Sequence, residues 1–352
     1  MGYIENIRCV VPYTPGEQPR FDKMIKLNTN ECPYPASKNV REALESLNTD
    51  MFRLYPDPNV TVLRDKLAQV YGVENEQVFV GVGSDDVIAT IFLTCFNGKD
   101  EILFPDVTYS FYDVWAKVYK IPFKTCPLDE DFRINANDYK VKNGGIIFPN
   151  PNAPTGVLES LDLIEEVLKA NRDVVVVVDE AYIDFGGISA LPLIEKYDNL
   201  LVVQTFSKSR AMAGARIGYA IGNEKLIKYL NDVKFSINSY TINAPSLVTG
   251  VACLEDVDYF DEITKKIIDT REWTKEKLIN LGFSFPESYA NFIFATHKEA
   301  KASDIYEALR KEHIFVRYFN KPRIDNYLRI TIGTDEEMQA LIQALSKILS
   351  RQ

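Results

Sequence analysis

The sequence predicts an α/β protein: a mainly parallel sheet covered on both faces by helices, with a smaller α+β unit after it. Between residue 77 and about 222, short β-branched runs alternate with helical patterns. One of these, "VVVVVDE" (174–180), carries five successive valines and reads as a strand buried on both faces. After about 223 the alternation gives way to a long helical stretch and then a mixed order of strands and helices.

Residues 1–35 are rich in proline and asparagine and read as an extended arm. "ASKNVREALESL" (36–47) and "VTVLRDKLAQVYG" (60–72) have helical periodicity. The strands follow as "QVFVGV", "EILFP", "GGIIFPN", "VVVVVDE", "LLVVQTF" and "RIGYAIG". Residues 256–281 fit one long helix that Gly282 would stop. "NFIFAT", a helix near 303–311, "IFVRYF", "YLRITIG" and a last helix at 335–349 complete the chain. These patterns divide it into an arm (1–35), a large domain (36–254) and a small C-terminal domain (255–352), with the first helix open to membership of the small one.

Bulk properties exclude several classes of function. The net charge is -10 and no run of lysines or arginines stands out, which argues against nucleic acid or an anionic membrane as partner. The longest apolar run, "VIATIFLTCF" (87–96), is too short to span a bilayer. The N-terminus has no apolar signal core, and Asn6 stands where a myristoylation signal wants Ser or Thr. Five scattered cysteines without a C-x-x-C read as reduced thiols of a cytoplasmic protein. With only His297 and His313, a multi-histidine zinc site is disfavoured, and no nucleophile-elbow motif is present.

Four stretches carry polar groups where apolar strands end. "VFVGVGSDD" (78–86) runs from a strand through a glycine turn into a helix, whose unpaired first N–H groups and positive dipole end suit a phosphate. A plain turn with an Asp cap is the simpler alternative, and Asp86 in place of a third glycine argues against a nicotinamide dinucleotide. Asp179 closes the valine strand, where it either caps a helix or meets a cation, and Tyr182 follows three residues on. "NPNAPTG" (150–156) is an irregular loop at another strand end. In "TFSKSRAMAGARIG" (205–218), Lys208 is either a solvated loop lysine or a partly desolvated amine suited to a Schiff base. Ser207 and Arg216 add a hydroxyl and a fixed charge matched to phosphate. One ligand answers all four: pyridoxal 5′-phosphate has a phosphate, a basic ring nitrogen, a phenolic oxygen and an aldehyde.

The order G-S-D, N-P-N-x-P-T-G, D-E-A-Y, S-K and A-G-x-R-x-G resembles the fold type I pyridoxal-phosphate aminotransferases. Within them it resembles the histidinol-phosphate branch, from "LNTNECPYP" (27–35) and "RLYPDP" (53–58) to "YLRITIG" (327–333). The resemblance implies a seven-stranded sheet and a homodimer with its sites at the interface. It makes Lys208 the Schiff-base lysine and proton carrier, Asp179 the partner of the ring nitrogen, and Tyr182 the partner of the 3′ oxygen. Tyr109 would stack on the ring. Ser84, Asp85, Ser207 and Arg216 would hold the phosphate, with Thr205 as a further candidate and Tyr55 reaching across from the partner subunit. Arg329, Arg317, Tyr13, Asn30 and Glu31 would lie near the substrate.

The pattern also departs from the family. The residue directly before P-T-G is usually Asn and here is Ala153, so either Asn152 takes over the contact to the 3′ oxygen or Tyr182 makes it alone. Ser209-Arg210 replaces a more apolar pair and would set another charge near the mouth of the site. The reaction implied is amino transfer between L-histidinol phosphate and 2-oxoglutarate, giving imidazole acetol phosphate and L-glutamate. An aromatic amino-acid aminotransferase and a threonine-phosphate decarboxylase share the fold and remain alternatives. A non-catalytic regulator of the same fold is disfavoured by the intact Lys208 and Asp179 and by the lack of a basic patch.

Overall fold

A computed structural model describes residues 2–19, 21 and 23–350. Its strands, in chain order, are β1 (Ile25–Leu27), β2 (Val78–Gly81), β3 (Ile102–Pro105), β4 (Phe123–Cys126), β5 (Ile146–Pro149) and β6 (Val176–Asp179). They continue with β7 (Leu200–Thr205), β8 (Gly218–Gly222), β9 (Phe283–Ser284), β10 (Phe292–His297), β11 (Ile314–Tyr318) and β12 (Leu328–Thr331). A seven-stranded sheet has the order β2-β8-β7-β6-β5-β3-β4. This is the seven-stranded, mainly parallel α/β sheet expected from the sequence.

Strands β3 to β7 pair in parallel, whereas β8 runs antiparallel to both β2 and β7. Parallel neighbours need a helical crossover, but antiparallel ones need only a loop. The segment between β7 and β8 is that loop, and it holds Lys208 and Arg216. Every residue of β2, β3, β5, β6, β7 and β8 is buried, while edge strand β4 exposes Lys124 and Thr125. A charged, half-solvated edge discourages pairing with another chain.

The second sheet has the order β1-β11-β12-β10-β9. The end of the N-terminal segment enters it, since β1 pairs with β11 in parallel, Ile25 opposite Ile314. The first helix, Lys38–Glu45, sets Val40 in the apolar cluster of the larger sheet, beside Leu247 and Cys253 of the helix Ala244–Glu255. The helix Val257–Asn280 is continuous, and Gly282 follows it at φ +88°, a conformation that favours glycine. The last helix, Asp335–Leu349, opens on a Thr334/Glu337 capping box. Among the described residues no helix is long and apolar enough to cross a membrane.

Candidate active site

Strands β5, β6 and β7 end side by side: Pro149 lies opposite Asp179, and Asp179 opposite Val203. In open α/β sheets the space beyond such carboxyl ends is where ligands bind. A cavity of about 180 Å³ occurs there. Nine of the residues singled out in the sequence line it: Glu31, Ser84, Asp85, Tyr109, Asp179, Tyr182, Ser207, Lys208 and Arg216. A larger cavity of about 410 Å³, lined by Arg64, Glu224, Lys228 and Phe235 among others, gathers none of them.

At one end lies Asp179, buried where its strand stops. Its Oδ2 accepts a hydrogen bond from Tyr112 Oη at 2.8 Å and its Oδ1 one from the Ala181 N–H at 3.3 Å. Burial pushes the carboxyl up to about 6, against the opposing pull of those two bonds. A cation placed here would offset that desolvation. Tyr112 was not anticipated from the sequence. It sits one helical turn after Tyr109 in an aromatic cluster with Phe92, Phe104 and Trp115, so it reads as core, and only its hydroxyl partner reveals a second role.

At the other end, Gly83 takes φ +85° before the helix Ser84–Cys95, which has no capping side chain. The first residues of that helix, Ser84 and Asp85, line the cavity, and no N-cap side chain takes up the free N–H groups of its first turn. Gly218 explains its own identity: a Cβ there would lie 2.3 Å from the Gly83 carbonyl carbon and the Ser84 nitrogen. Only glycine lets β8 approach this turn so closely. Arg216 adopts a left-handed φ of +53° and places Nη2 3.4 Å from Asp85 Oδ2. Backbone strain of this kind concentrates at functional sites. Tyr109 Oη donates to the other Asp85 oxygen at 2.7 Å, so one carboxylate orients both side chains.

Lys208 lies between the two ends, its Nζ donating to the Thr29 carbonyl at 3.3 Å and standing 5.7 Å from the centre of the Tyr182 ring. Tyr182 packs edge-on against Phe292, and its Oη accepts a hydrogen bond from Asn30 Nδ2 at 2.9 Å. Glu31 is bonded by Lys26 and by Thr29 Oγ1. Burial raises the Glu31 carboxyl, but the Lys26 and Thr29 bonds outweigh it and hold the carboxyl below its ordinary range.

Several of the other candidates stand away from the cavity wall. Asn152 is not among the residues lining the cavity: its Nδ2 donates to the Val107 carbonyl just after β3 at 3.0 Å and to Thr155 Oγ1 in its own loop at 2.9 Å, its buried Oδ1 has no partner among the described residues, and the buried Ala153 lines the cavity. Asn30 is 1 % exposed and lies behind Tyr182 rather than in the cavity. Thr205 sits beneath Ser207, donating to its Oγ at 2.9 Å. Arg210 adds no charge to the cavity wall, because its guanidinium packs 4.3 Å from the Phe260 ring and 5.6 Å from Phe206. Ser209 next to it is bonded to Asp184.

The remaining candidates lie outside the cavity wall. Arg329 stacks on Phe292 and Phe319 and donates only to the Asn28 carbonyl, at 3.1 Å, while its buried Nε has no partner among the described residues. Arg317 donates to the carbonyls of Thr14 and Pro15, and Tyr13 stacks on Phe111 at 4.1 Å. Tyr55 is 80 % exposed and stacks on Tyr240.

A buried carboxylate, a lysine and a glycine-walled anion cup in one cavity fit pyridoxal 5′-phosphate. The chain belongs to the class I and II aminotransferases, whose family model, described as "Aminotransferase class I and II", matches residues 22–345. It is thus a pyridoxal-phosphate-dependent enzyme. It is 54% identical to histidinol-phosphate aminotransferase 1 of Hydrogenovibrio crunogenus over 98% of this chain and 97% of that one. It is 49% identical to the histidinol-phosphate aminotransferase of Brachyspira hyodysenteriae over 98% of both. Among solved structures it resembles the Sinorhizobium meliloti histidinol-phosphate aminotransferase in complex with pyridoxal-5′-phosphate, with a TM-score of 0.86 at 23% identity over 94% of this chain and 92% of that one. The Clostridium acetobutylicum enzyme of the same name gives 0.86 at 24% identity over 94% and 100%. At these identities the two structures speak for the fold.

Proposed function

We infer that the chain is a histidinol-phosphate aminotransferase, exchanging the amino group of L-histidinol phosphate with 2-oxoglutarate in histidine biosynthesis. The observation that carries the chemistry is the single cavity holding Lys208 between Asp179 and the Gly83–Ser84 turn. The substrate follows from the full-length relatives that bear this name.

Bound pyridoxal phosphate supplies an aldehyde that captures the substrate amine and a ring that takes up the electron pair left at Cα. The Ser84 and Asp85 amides, the Ser207 hydroxyl and Arg216 hold its phosphate. The long Arg216–Asp85 contact, partly solvated on both sides, is weak enough to yield to a phosphate dianion. Asp179 would accept the hydrogen of the ring nitrogen, whose positive charge would favour the ionised carboxylate. Tyr182 donates to the ring oxygen, and Tyr109 packs on the ring face. Lys208 would be the base placed to take the proton from the substrate Cα. Arg329 and Arg317, which bond only backbone carbonyls among the described residues, answer the anionic groups of the two substrates.

A donor panel with 2-oxoglutarate tests the substrate. Histidinol phosphate should exceed phenylalanine, tyrosine and threonine phosphate in kcat/KM by about a hundredfold or more, in keeping with the name its full-length relatives bear. A higher value for an aromatic amino acid, or carbon dioxide release from threonine phosphate, would sink this reading.

We further propose a homodimer in which Tyr55 bonds the cofactor phosphate held by the partner subunit. The exposed Tyr55, next to exposed Phe52 and Leu54, supports it. Co-expressed Tyr55→Phe and Lys208→Ala chains should then give hybrids with one intact site. Their activity should exceed the mean of the two parent variants, and no gain would refute the shared site. The five unpaired cysteines support a cytoplasmic location.

A further inference from the structure

Position 153 lines the cavity as alanine, and both Nδ2 hydrogens of Asn152 are taken up by the Val107 carbonyl and Thr155 Oγ1, so Asn152 has no donor left for a ring oxygen. Tyr182 is therefore the remaining side chain placed to meet the cofactor's ring oxygen, and its hydroxyl needs a defined direction. Asn30 gives it one. We propose that Asn30 is a positioning residue that orients the Tyr182 hydroxyl toward the cofactor's ring oxygen, and so takes the place of the asparagine absent at position 153. The proposal rests on reading this cavity as the cofactor site.

The geometry is specific. Asn30 Nδ2 lies 2.9 Å from Tyr182 Oη. An amide nitrogen only donates, so Tyr182 Oη accepts and keeps its own hydrogen free. Among the described residues Tyr182 Oη has no acceptor for that hydrogen, which leaves the cavity as its outlet. The amide itself is held. Thr331 Oγ1 accepts from the Asn30 N–H at 3.1 Å and donates to Asn30 Oδ1 at 3.0 Å, which settles which end of the amide faces Tyr182. Asn291 Nδ2 bonds the Asn30 carbonyl at 3.0 Å. Asn30 also adopts φ +56°, in the left-handed region that asparagine tolerates better than most residues. A buried, strained and fully tethered amide aimed at one hydroxyl is what orienting that hydroxyl requires.

Two variants separate the side chain's role from the backbone's. Asn30→Gly deletes the amide at a positive φ that glycine accepts, and Asn30→Asp keeps the shape but replaces the donor by an acceptor. Apoenzyme of each is titrated with pyridoxal phosphate by quenching of intrinsic fluorescence, alongside Tyr182→Phe and the Asn30→Asp/Tyr182→Phe double variant. Thermal unfolding of each apo form confirms folding. Each single variant should weaken cofactor affinity about tenfold, the scale of one net hydrogen bond. The double variant should be no weaker than Tyr182→Phe alone. Wild-type affinity in both Asn30 variants beside a weakened Tyr182→Phe overturns the proposal, as does an additive loss in the double variant. Wild-type affinity in Tyr182→Phe itself overturns the placement of the cofactor on which the proposal rests.

Discussion

The Lys208→Ala enzyme will lose transamination by about a thousandfold or more, because in the proposed function one side chain serves both as covalent anchor and as proton carrier. Among the described residues no other amine lines the cavity, since its remaining cation is the guanidinium of Arg216 beside Asp85. Lys208 also sits on the loop between β7 and β8, and among the described residues its Nζ is bonded only to the Thr29 carbonyl. The substitution therefore removes chemistry while leaving the core intact. The folded variant should bind pyridoxal phosphate without the borohydride-reducible absorbance of the wild type. An unchanged reducible band in Lys208→Ala would assign the anchor to another lysine.

Asp179→Asn will act in opposite directions on activity and on stability. Activity should fall by about a hundredfold or more, because the ring nitrogen loses the carboxylate that holds it as a cation while charge develops. The apoenzyme should become more stable at neutral pH. Burial raises the Asp179 carboxyl from 3.8 to about 6, so the folded apo form binds a proton that the unfolded chain has already released. Stability contributed by this group is thus present below about pH 4 and is lost as the pH rises toward 6, a difference of ~3 kcal/mol. Asparagine carries no such penalty and can still accept from Tyr112. Urea unfolding of the two apo forms should show an advantage for Asp179→Asn at pH 7.5 that shrinks toward nothing at pH 4. An advantage independent of pH, or a less stable variant at pH 7.5, would show that the desolvated carboxylate is not what limits this end of the cavity.

The sheet was legible because doubly buried strands read as apolar runs, and the chemistry was legible because polar residues at the ends of those runs stand out. Asp179 after five valines and Lys208 among small residues are such cases. Gly83 and Gly218 were legible as glycines, though the close approach that demands Gly218 appears only when β8 folds against the turn. What escaped depends on three-dimensional direction. Tyr112 shares its spacing and surroundings with core aromatics. Asn152 and Ala153 are neighbours in a loop, and the loop's path decides which lines the cavity. Asn30 meets partners 152 and 301 residues away, a distance over which no local pattern carries information. Arg210 reads as a charge beside Lys208, yet Phe260, fifty residues further on, draws it off.

The most direct measurement mixes the holoenzyme with histidinol phosphate and no acceptor, and follows both the cofactor absorbance and the carbonyl product. Conversion of the cofactor to its amine form should be complete, with one equivalent of imidazole acetol phosphate per site, and 2-oxoglutarate should then restore the original spectrum. An unchanged spectrum with histidinol phosphate, under conditions where phenylalanine or tyrosine converts the cofactor fully, would contradict the assignment.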